Sequence, residues 1–168
     1  MNILIGTPIE ESKYFCLKPL FRAWKHLKLP NGSEVAILLV VTLSPGISFM
    51  KRLDEYVRQL VKHQKYRYVI VGAWHDGRQE WNRHSLEEAR ELIRDFALNR
   101  YEADYIWFVD ADNPPPKDAL TRLLALDADI AGSLIYQRMR NDEPTYPLIY
   151  EYPGPPPSDP ILRPSWKK

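Results

Sequence analysis

The sequence predicts an α/β protein, a three-layer α/β/α sandwich built around a mostly parallel central sheet. Short apolar runs alternate along the chain with segments whose apolar residues recur at helical spacing. The apolar runs are hydrophobic on both faces, which is typical of parallel strands covered by helices on each side. A content of 45% hydrophobic and 27% charged residues fits a folded chain of this kind.

The first half of the chain contains three predicted strands: Asn2–Thr7, Glu34–Leu43 and Tyr66–Ala73. Two amphipathic segments between them are predicted helices: Glu11–Leu27 and Phe49–His63. Pro19 is expected to break or restart the first helix, because proline removes a backbone hydrogen bond. Asn31 and Gly32 form a predicted turn before the second strand.

The second half of the chain continues the alternation. Ser85 is the predicted N-cap of a helix that runs to about Asn99, since Glu88 follows it at capping-box spacing. The remaining predicted elements are a fourth strand, a short helix with Asp118 in its first turn, and a fifth strand: Asp104–Asp110, Pro116–Leu126 and Asp129–Gln137. The proline-rich residues that follow are expected to be extended and only partly packed.

Composition and charge exclude several classes of protein. The net charge of +1 disfavours a nucleic-acid binder, which normally has a basic excess. The longest apolar stretch, Val35–Val41, is far shorter than the ~20 residues of a membrane helix, so we expect no transmembrane segment. No secretory signal is visible at the N-terminus, and the single cysteine, Cys16, excludes an internal disulfide. We therefore expect a cytoplasmic protein.

The carboxyl ends of the predicted strands are where a sheet of this kind binds ligands. Two carboxylates, Asp110 and Asp112, follow five apolar residues at one such end. In an extended chain they would point the same way while Ala111 faces the sheet. Two carboxylates suit Mg²⁺ or Mn²⁺, which could bridge a diphosphate and stabilise it as a leaving group. The alternative is an ordinary strand end that turns into a loop.

The segment Asp104–Arg138 resembles the core of GT-A-fold nucleotide-sugar glycosyltransferases, especially their large inverting group. The shared pattern is an apolar strand, an Asp-x-Asp motif, a proline-bearing turn, a helix and an apolar strand. The resemblance covers roughly residues 1–140, with Ile5-Gly6-Thr7-Pro8 in place of the usual end of the opening strand. It implies a Rossmann-like GT-A fold in a single domain, residues 1–168. Its parts would be a nucleotide-binding half, a reduced acceptor half and a proline-rich tail: 1–112, 113–145 and 146–168.

The activity that the resemblance implies is that of a metal-dependent hexosyltransferase. Its partners would be a nucleoside diphosphate sugar and an unknown glycan, protein or lipid acceptor, with Mn²⁺ or Mg²⁺ as cofactor. Residue by residue, Asp110 and Asp112 would hold the metal, and Asp110 and Ala111 would also border the donor. Base, ribose and diphosphate would be contacted by the residues after the first strand and by arginines near the third helix: Thr7, Pro8, Ile9, Arg83 and Arg90. The arginines could instead belong to a solvated helix face.

The sequence departs from the family pattern at three places. The second predicted strand is not followed by the usual acidic pair, so Asp76 is the candidate base or ribose contact, with an ordinary Asp-Gly turn as the alternative. Asp142 is the candidate general base, although Asn-Asp-Glu-Pro is also a common turn. The metal-ligating histidine that often comes late in such chains is absent, since all four histidines precede the motif.

Other functions remain open at this point. A phosphatase of the haloacid-dehalogenase type also uses Asp-x-Asp, but it places the motif near the start of the chain. A sugar-phosphate nucleotidyltransferase would need a glycine-rich opening loop with Arg or Lys, which is missing here. A non-catalytic nucleotide-binding or assembly module of the same fold fits the short chain. Neither a P-loop nor a dinucleotide fingerprint is present.

Overall fold

A four-stranded parallel sheet forms the centre of the structure, a computed structural model that describes residues 1–42, 45–63, 65–74, 83–132, 136–137 and 146–147. At residues 73–74, 83–84, 136–137 and 146–147 it describes the backbone only. The chain divides into two compact units, Met1–Arg122 and Leu123–Lys168. The whole sheet lies in the first unit.

All four strands of the sheet are parallel, as their apolar sequences predict. They are β1 (Asn2–Ile9), β2 (Glu34–Thr42), β3 (Tyr68–Trp74) and β4 (Tyr105–Phe108), in the spatial order β3-β2-β1-β4. β1 is two residues longer than predicted, and Pro8 and Ile9 still pair with β2. This extension carries the backbone of β1 to the carboxyl edge of the sheet.

Helices connect the strands and cover the sheet. A 3₁₀ helix (Glu11–Cys16) leads into α1 (Leu17–His26); the other helices are α2 (Ile47–Val61), α3 (Arg83–Phe96), a π-helical turn (Ala97–Tyr101) and α4 (Ala119–Leu124). Pro19 lies in the first turn of α1, so the predicted restart of this helix is confirmed. Among the described helices, none has the length and apolar character needed to cross a membrane.

The two faces of the sheet are buried by different helices. On one face, Leu4 and Leu38 pack against Ala89 and Ile93 of α3. On the opposite face, Ile5 and the residues two positions before and after it in β1, Ile3 and Thr7, are fully buried. Helices α1 and α2 pack on each other and bury their own apolar sides, which supply the cover for this second face. The α/β architecture with a mostly parallel sheet and flanking helices is therefore confirmed.

Two helix starts differ from the predictions. α3 begins at Arg83, so Ser85 is the third residue of the helix and buried instead of serving as its N-cap. α4 begins only at Ala119, and Asp118 precedes it; the Asp118 carbonyl accepts a hydrogen bond from the Arg122 N–H at 3.0 Å. In both places side-chain chemistry predicted a helix start correctly to within a few residues, but tertiary packing decided the residue at which the helix begins.

The predicted fifth strand over Asp129–Gln137 is confirmed at its end, Tyr136–Gln137, and is wrong at residues 129–132. Residues 129–132 are not extended into a strand, and Ile130 is 94% exposed. A strand requires a neighbour that pairs with its backbone, and these four residues have none in the part of the chain that the structure describes. The strand β5 is limited to Tyr136–Gln137, which pairs antiparallel with β6, Tyr146–Pro147.

Candidate functional site

A cleft of about 320 Å³ lies at the carboxyl edge of the sheet, where parallel sheets bind ligands. Its walls come from the end of β1, the 3₁₀ helix, the end of β2, the start of α3 and the residues after β4. The side chains that line it include Pro8, Ile9, Glu10, Lys13, Asp110, Ala111 and Asp112. We call it the carboxylate cleft. It brings together five of the residues that the sequence singled out.

Thr7 stands apart from these five. Its side chain is fully buried, it does not line the carboxylate cleft, and its hydroxyl oxygen has no hydrogen-bond partner among the described residues. Successive residues of a strand point to opposite faces, which separates Thr7 from Pro8. At the end of the neighbouring strand, the Thr42 hydroxyl donates to the Ile9 carbonyl at 3.4 Å, which ties the two strand ends together.

The two aspartates lie in a turn instead of on an extended strand. β4 ends at Phe108, and the Val109 N–H donates to the Gly6 carbonyl at 3.0 Å. The Asn113 N–H then donates to the Asp110 carbonyl at 3.0 Å, closing a four-residue turn. Ala111 is buried at the centre of this turn, as expected. The alternation of an extended chain therefore does not apply, but both carboxylates still line the same cleft.

Each carboxylate forms an ion pair with a cation from another element. Arg90 of α3 lies 3.0 Å from Oδ1 of Asp110, and Nζ of Lys13 lies 2.7 Å from Oδ2 of Asp112. The four side chains are between 38% and 43% exposed, so water reaches all of them. Each pair uses one oxygen, and in the described part of the chain the second oxygen of each carboxylate has no hydrogen-bond partner.

Asp112 stabilises the charged form of Lys13. The hydrogen bond to Asp112 is the largest cause that raises the pKa of Lys13, so the ammonium group stays charged at neutral pH. Cys16, at the end of the same 3₁₀ helix, is buried, and burial together with the charge of Asp112 raises the pKa of its thiol. A thiol that stays protonated is a poor nucleophile. Cys16 therefore belongs to the core beside the cleft.

Sequence reasoning missed Glu10 and Lys13, which the 3₁₀ helix brings to the cleft. The Lys13 N–H donates to the Glu10 carbonyl at 3.0 Å, and the Ser12 hydroxyl donates to the Glu10 carboxylate. The Glu11 carboxylate accepts a hydrogen bond at 2.8 Å from the N–H of Gly46, the residue before α2. A negative group at a helix N-terminus is stabilising. The sequence did contain an indication of these residues, because the polar segment that begins at Glu10 directly follows the carboxyl end of the buried strand β1.

The residues of the cleft fit one kind of metal site. Within the described ranges, no group of three or more His, Cys, Asp or Glu side chains could enclose a metal ion. Mg²⁺ and Mn²⁺ are commonly bound by one or two protein carboxylates, with substrate phosphates and water completing the coordination. Asp110 and Asp112 supply such a pair. The donor set therefore suits a metal that arrives with a phosphate ligand better than one that is held by protein alone.

Three predicted site residues have no described side chain. Asp76 and Asp142 lie outside the described residues, and Arg83 is described only as the first backbone position of α3. Arg90, the second arginine of this region, lies at the cleft, but its partner is the Asp110 carboxylate.

Comparison with known proteins supports the fold. No protein-family model and no curated protein matches the chain. Among solved structures, Staphylococcus aureus TarS, a glycosyltransferase, is 16% identical, with 74% of this chain and 19% of TarS covered and a TM-score of 0.50. A structure of TarS 1–349 is also 16% identical, with 74% and 32% covered and a TM-score of 0.47. The chain thus spans less than a third of either structure. The first match shows that the fold is similar to that of a glycosyltransferase.

Proposed function

We propose that the chain is a metal-dependent glycosyltransferase of the inverting GT-A type, which moves a sugar from a nucleoside diphosphate donor to an acceptor. One observation carries the proposal: in a glycosyltransferase-like fold, the carboxylate cleft lies at the carboxyl edge of the sheet, and both aspartates of the Asp-x-Asp motif line it. A cleft with two carboxylates and nearby cations is suited to a metal-bound diphosphate.

The donor would occupy the cleft with its nucleoside toward the end of β1. Pro8 and Ile9 offer an apolar wall for the base and ribose, and the turn around the buried Ala111 offers a second one. Asp110 and Asp112 would hold Mn²⁺ or Mg²⁺ in place of their present ion pairs with Lys13 and Arg90. When bound, such a metal supplies positive charge that stabilises a departing diphosphate.

In this proposal, Lys13 and Arg90 bind the donor phosphates once the metal ion is bound. In the structure they neutralise the two carboxylates. When Asp110 and Asp112 bind a divalent cation, the ammonium and guanidinium groups become available to the donor phosphates, for which Arg and Lys are common partners. Both cations come from elements at the cleft wall, so a change of partner requires only side-chain rotation.

The remaining roles are proposed on the family resemblance alone. Asp142 would be the general base that deprotonates the acceptor hydroxyl. Asp76 would contact the base or ribose, and Arg83 the diphosphate. The donor sugar and the acceptor, a glycan, a protein or a lipid, are open.

Calorimetry tests the nucleotide-binding part of the proposal. A panel of nucleoside diphosphates is titrated with and without Mn²⁺ into the wild-type chain and into Asp112→Asn. We expect binding that requires Mn²⁺ and that weakens at least about tenfold in the variant, since a charge-assisted contact contributes roughly 1.5–3 kcal/mol. Asp54→Asn is the matched control, because Asp54 forms a surface ion pair with Arg58 away from the cleft. Binding that is equally strong in Asp112→Asn would contradict the proposal.

Donor hydrolysis separates the transferase from its alternatives. Slow, Mn²⁺-dependent release of sugar from a nucleoside diphosphate sugar, lost in Asp112→Asn, supports the transferase. Metal-dependent nucleotide binding without turnover of any donor in the panel would favour a non-catalytic module. Hydrolysis of simple phosphate esters would favour the phosphatase.

A further inference from the structure

The outer face of α1 carries a group of basic side chains that the proposed function does not use. Arg22 lies four residues after Lys18, and Lys25 and His26 lie three and four residues after Arg22, so all four share one side of the helix; all four are exposed. His63 and Lys117 line the clefts that flank this side. We call these six residues the α1 basic face.

Two concave surfaces border the α1 basic face. One, of about 390 Å³, lies between α1 and residues 115–117; the other, of about 350 Å³, lies between α1 and α2. Lys18, Arg22 and His26 line both. Contacts within the unit Met1–Arg122 fix the walls of both surfaces. Beside the first surface, the Lys28 N–H donates to the Lys117 carbonyl at 2.6 Å, and in the second, Phe21 stacks on Tyr56.

Among the residues that the structure describes, these basic side chains have no acidic partner. No Asp or Glu lines either concave surface, and within the described ranges Lys18, Arg22 and Lys25 form no ion pair. The net charge of the whole chain is only +1, so this face is a local concentration of charge and not a general basic excess.

This arrangement is unfavourable for the isolated protein. Like charges four residues apart on a helix repel each other, as Lys18 and Arg22 do. Lys18 also lies in the first turn of α1, at the positive end of the helix dipole. An external anion would relieve both effects.

We infer that the α1 basic face binds a soluble ligand that carries at least two phosphate groups, one for each concave surface. Guanidinium and ammonium groups are the side chains that bind phosphate most strongly, and Arg22 lies between the two surfaces. Concave surfaces favour a soluble ligand over the plane of a membrane. The ring of Tyr56 is stacked on Phe21, with centroids 5.2 Å apart, which disfavours the base stacking that single-stranded nucleic acids use.

The α1 basic face is distinct from the carboxylate cleft. The two share no lining residue. Ligand binding to the two sites can therefore be measured separately, and the test of this inference does not depend on the proposed transferase activity.

Tripolyphosphate is a suitable probe, because it is soluble and carries several phosphate groups without a base or a lipid. Its binding is measured by calorimetry in EDTA at about 0.05 M salt, where charges are weakly screened. We expect Lys18→Gln with Arg22→Gln to weaken binding at least about tenfold. Lys51→Gln with Lys62→Gln is the matched control: it removes the same charge from exposed lysines that line neither concave surface. Binding by this control and by Lys13→Gln is expected to stay within about twofold of wild type.

Four results of the tripolyphosphate, vesicle and DNA titrations would overturn the inference. They are no binding by the wild type, equal binding by the Lys18/Arg22 variant, equal loss in the Lys51/Lys62 control, and tighter binding to phosphatidylglycerol vesicles or single-stranded DNA than to tripolyphosphate. The Lys18/Arg22 variant is also titrated with nucleoside diphosphates and Mn²⁺. Retained nucleotide binding there, with tripolyphosphate binding lost, supports two separate sites. A parallel loss of both, in a variant that unfolds at the same temperature as the wild type, would mean that one site binds both ligands and would contradict the inference.

Discussion

At the scale of single residues, each aspartate of the carboxylate cleft is neutralised by a cation. Lys13 pairs with Asp112 and Arg90 with Asp110, so two positive charges balance two negative ones. Because these side chains are about two-fifths exposed, each pair contributes less than about 1 kcal/mol to stability. Interactions of this strength can be exchanged for stronger ones when a divalent cation and a diphosphate bind together.

The first prediction concerns competition between Lys13 and a metal ion for Asp112. Lys13→Gln removes the competing charge, so Mn²⁺ in the absence of nucleotide is expected to bind more tightly, by up to about fivefold, the equivalent of roughly 1 kcal/mol. Electron paramagnetic resonance of free Mn²⁺ measures this change. Lys51→Gln, an exposed lysine outside the cleft, serves as the control. Weaker Mn²⁺ binding by Lys13→Gln would contradict the prediction.

The second prediction concerns Tyr66, whose buried hydroxyl donates to the Trp24 carbonyl at 2.6 Å. Tyr66→Phe removes this bond and is expected to lower the free energy of unfolding by about 1–2 kcal/mol at pH 7. Burial raises the pKa of Tyr66 above its usual value of 10.0. The unfolded chain therefore loses this proton at lower pH than the folded chain, and the stability of the wild type should fall as pH rises above about 10.

Urea denaturation across that pH range checks both parts of the Tyr66 prediction. The difference in stability between wild type and Tyr66→Phe should be constant below pH 10 and shrink above it, because the variant has no phenol to ionise. Tyr105→Phe, which alters a half-exposed ring on the edge strand β4, is the control. A difference that grows with pH would show that the assigned direction of the pKa shift is wrong.

At the scale of elements, the close contact between β1 and α3 depends on a glycine. A Cβ at Gly6 would collide with Cγ2 of Ile93, the residue of α3 that packs on this face of the sheet. α3 also carries Arg90 to the cleft, three residues before Ile93 on the same helix. The distance between helix and strand therefore influences where the guanidinium group lies relative to Asp110.

The third prediction follows from this contact. Gly6→Ala is expected to destabilise the fold by about 1–3 kcal/mol, the usual cost of adding a methyl group to a packed core. The same substitution in an Ile93→Ala background should cost less, since the colliding methyl group is gone. Chemical denaturation of the four chains of this cycle measures the coupling. Gly132→Ala, whose Cβ meets no atom within 4 Å, is the matched control. Equal costs in both backgrounds would contradict the prediction.

The strands that the sequence predicted best are those whose residues are buried on both faces. β1 and β2 are apolar at nearly every position, and a parallel central strand is the arrangement that this pattern favours. The same pattern failed at residues 129–132, because apolar composition alone does not supply a neighbouring strand. Ile130 is exposed there, whereas Ile37 in β2 is fully buried.

Prediction of the cleft was limited for a similar reason. The motif placed Asp110 and Asp112 at the right edge of the sheet, because the carboxyl end of a strand can be located from its apolar run. It did not identify Lys13 or the ion pair of Arg90, since these contacts join residues 99 and 20 positions apart along the chain. Long-range side-chain contacts of this kind require the packed structure.

At the scale of the whole molecule, the carboxylate cleft is assembled from distant parts of the chain. Residues 8–13, Thr42, Leu86 and residues 110–112 line it, and all belong to the compact unit Met1–Arg122. None of these segments could form the cleft alone. A ligand that binds there binds only the folded state and should therefore stabilise the entire unit.

The fourth prediction uses this coupling. A nucleoside diphosphate with Mn²⁺, at about 100 times its dissociation constant, should add about 2.7 kcal/mol to the free energy of unfolding and raise Tm by roughly 5–10 °C. Differential scanning calorimetry measures the shift. EDTA should abolish it, because Asp110 and Asp112 would then hold no metal. Asp112→Asn, which is expected to weaken binding at least about tenfold, should reduce it to about half or less even with Mn²⁺. The Lys18/Arg22 variant should retain it, since its substitutions lie outside the cleft. An equal shift in EDTA would mean that the nucleotide binds without the metal, and the function assigned to the two carboxylates would be wrong.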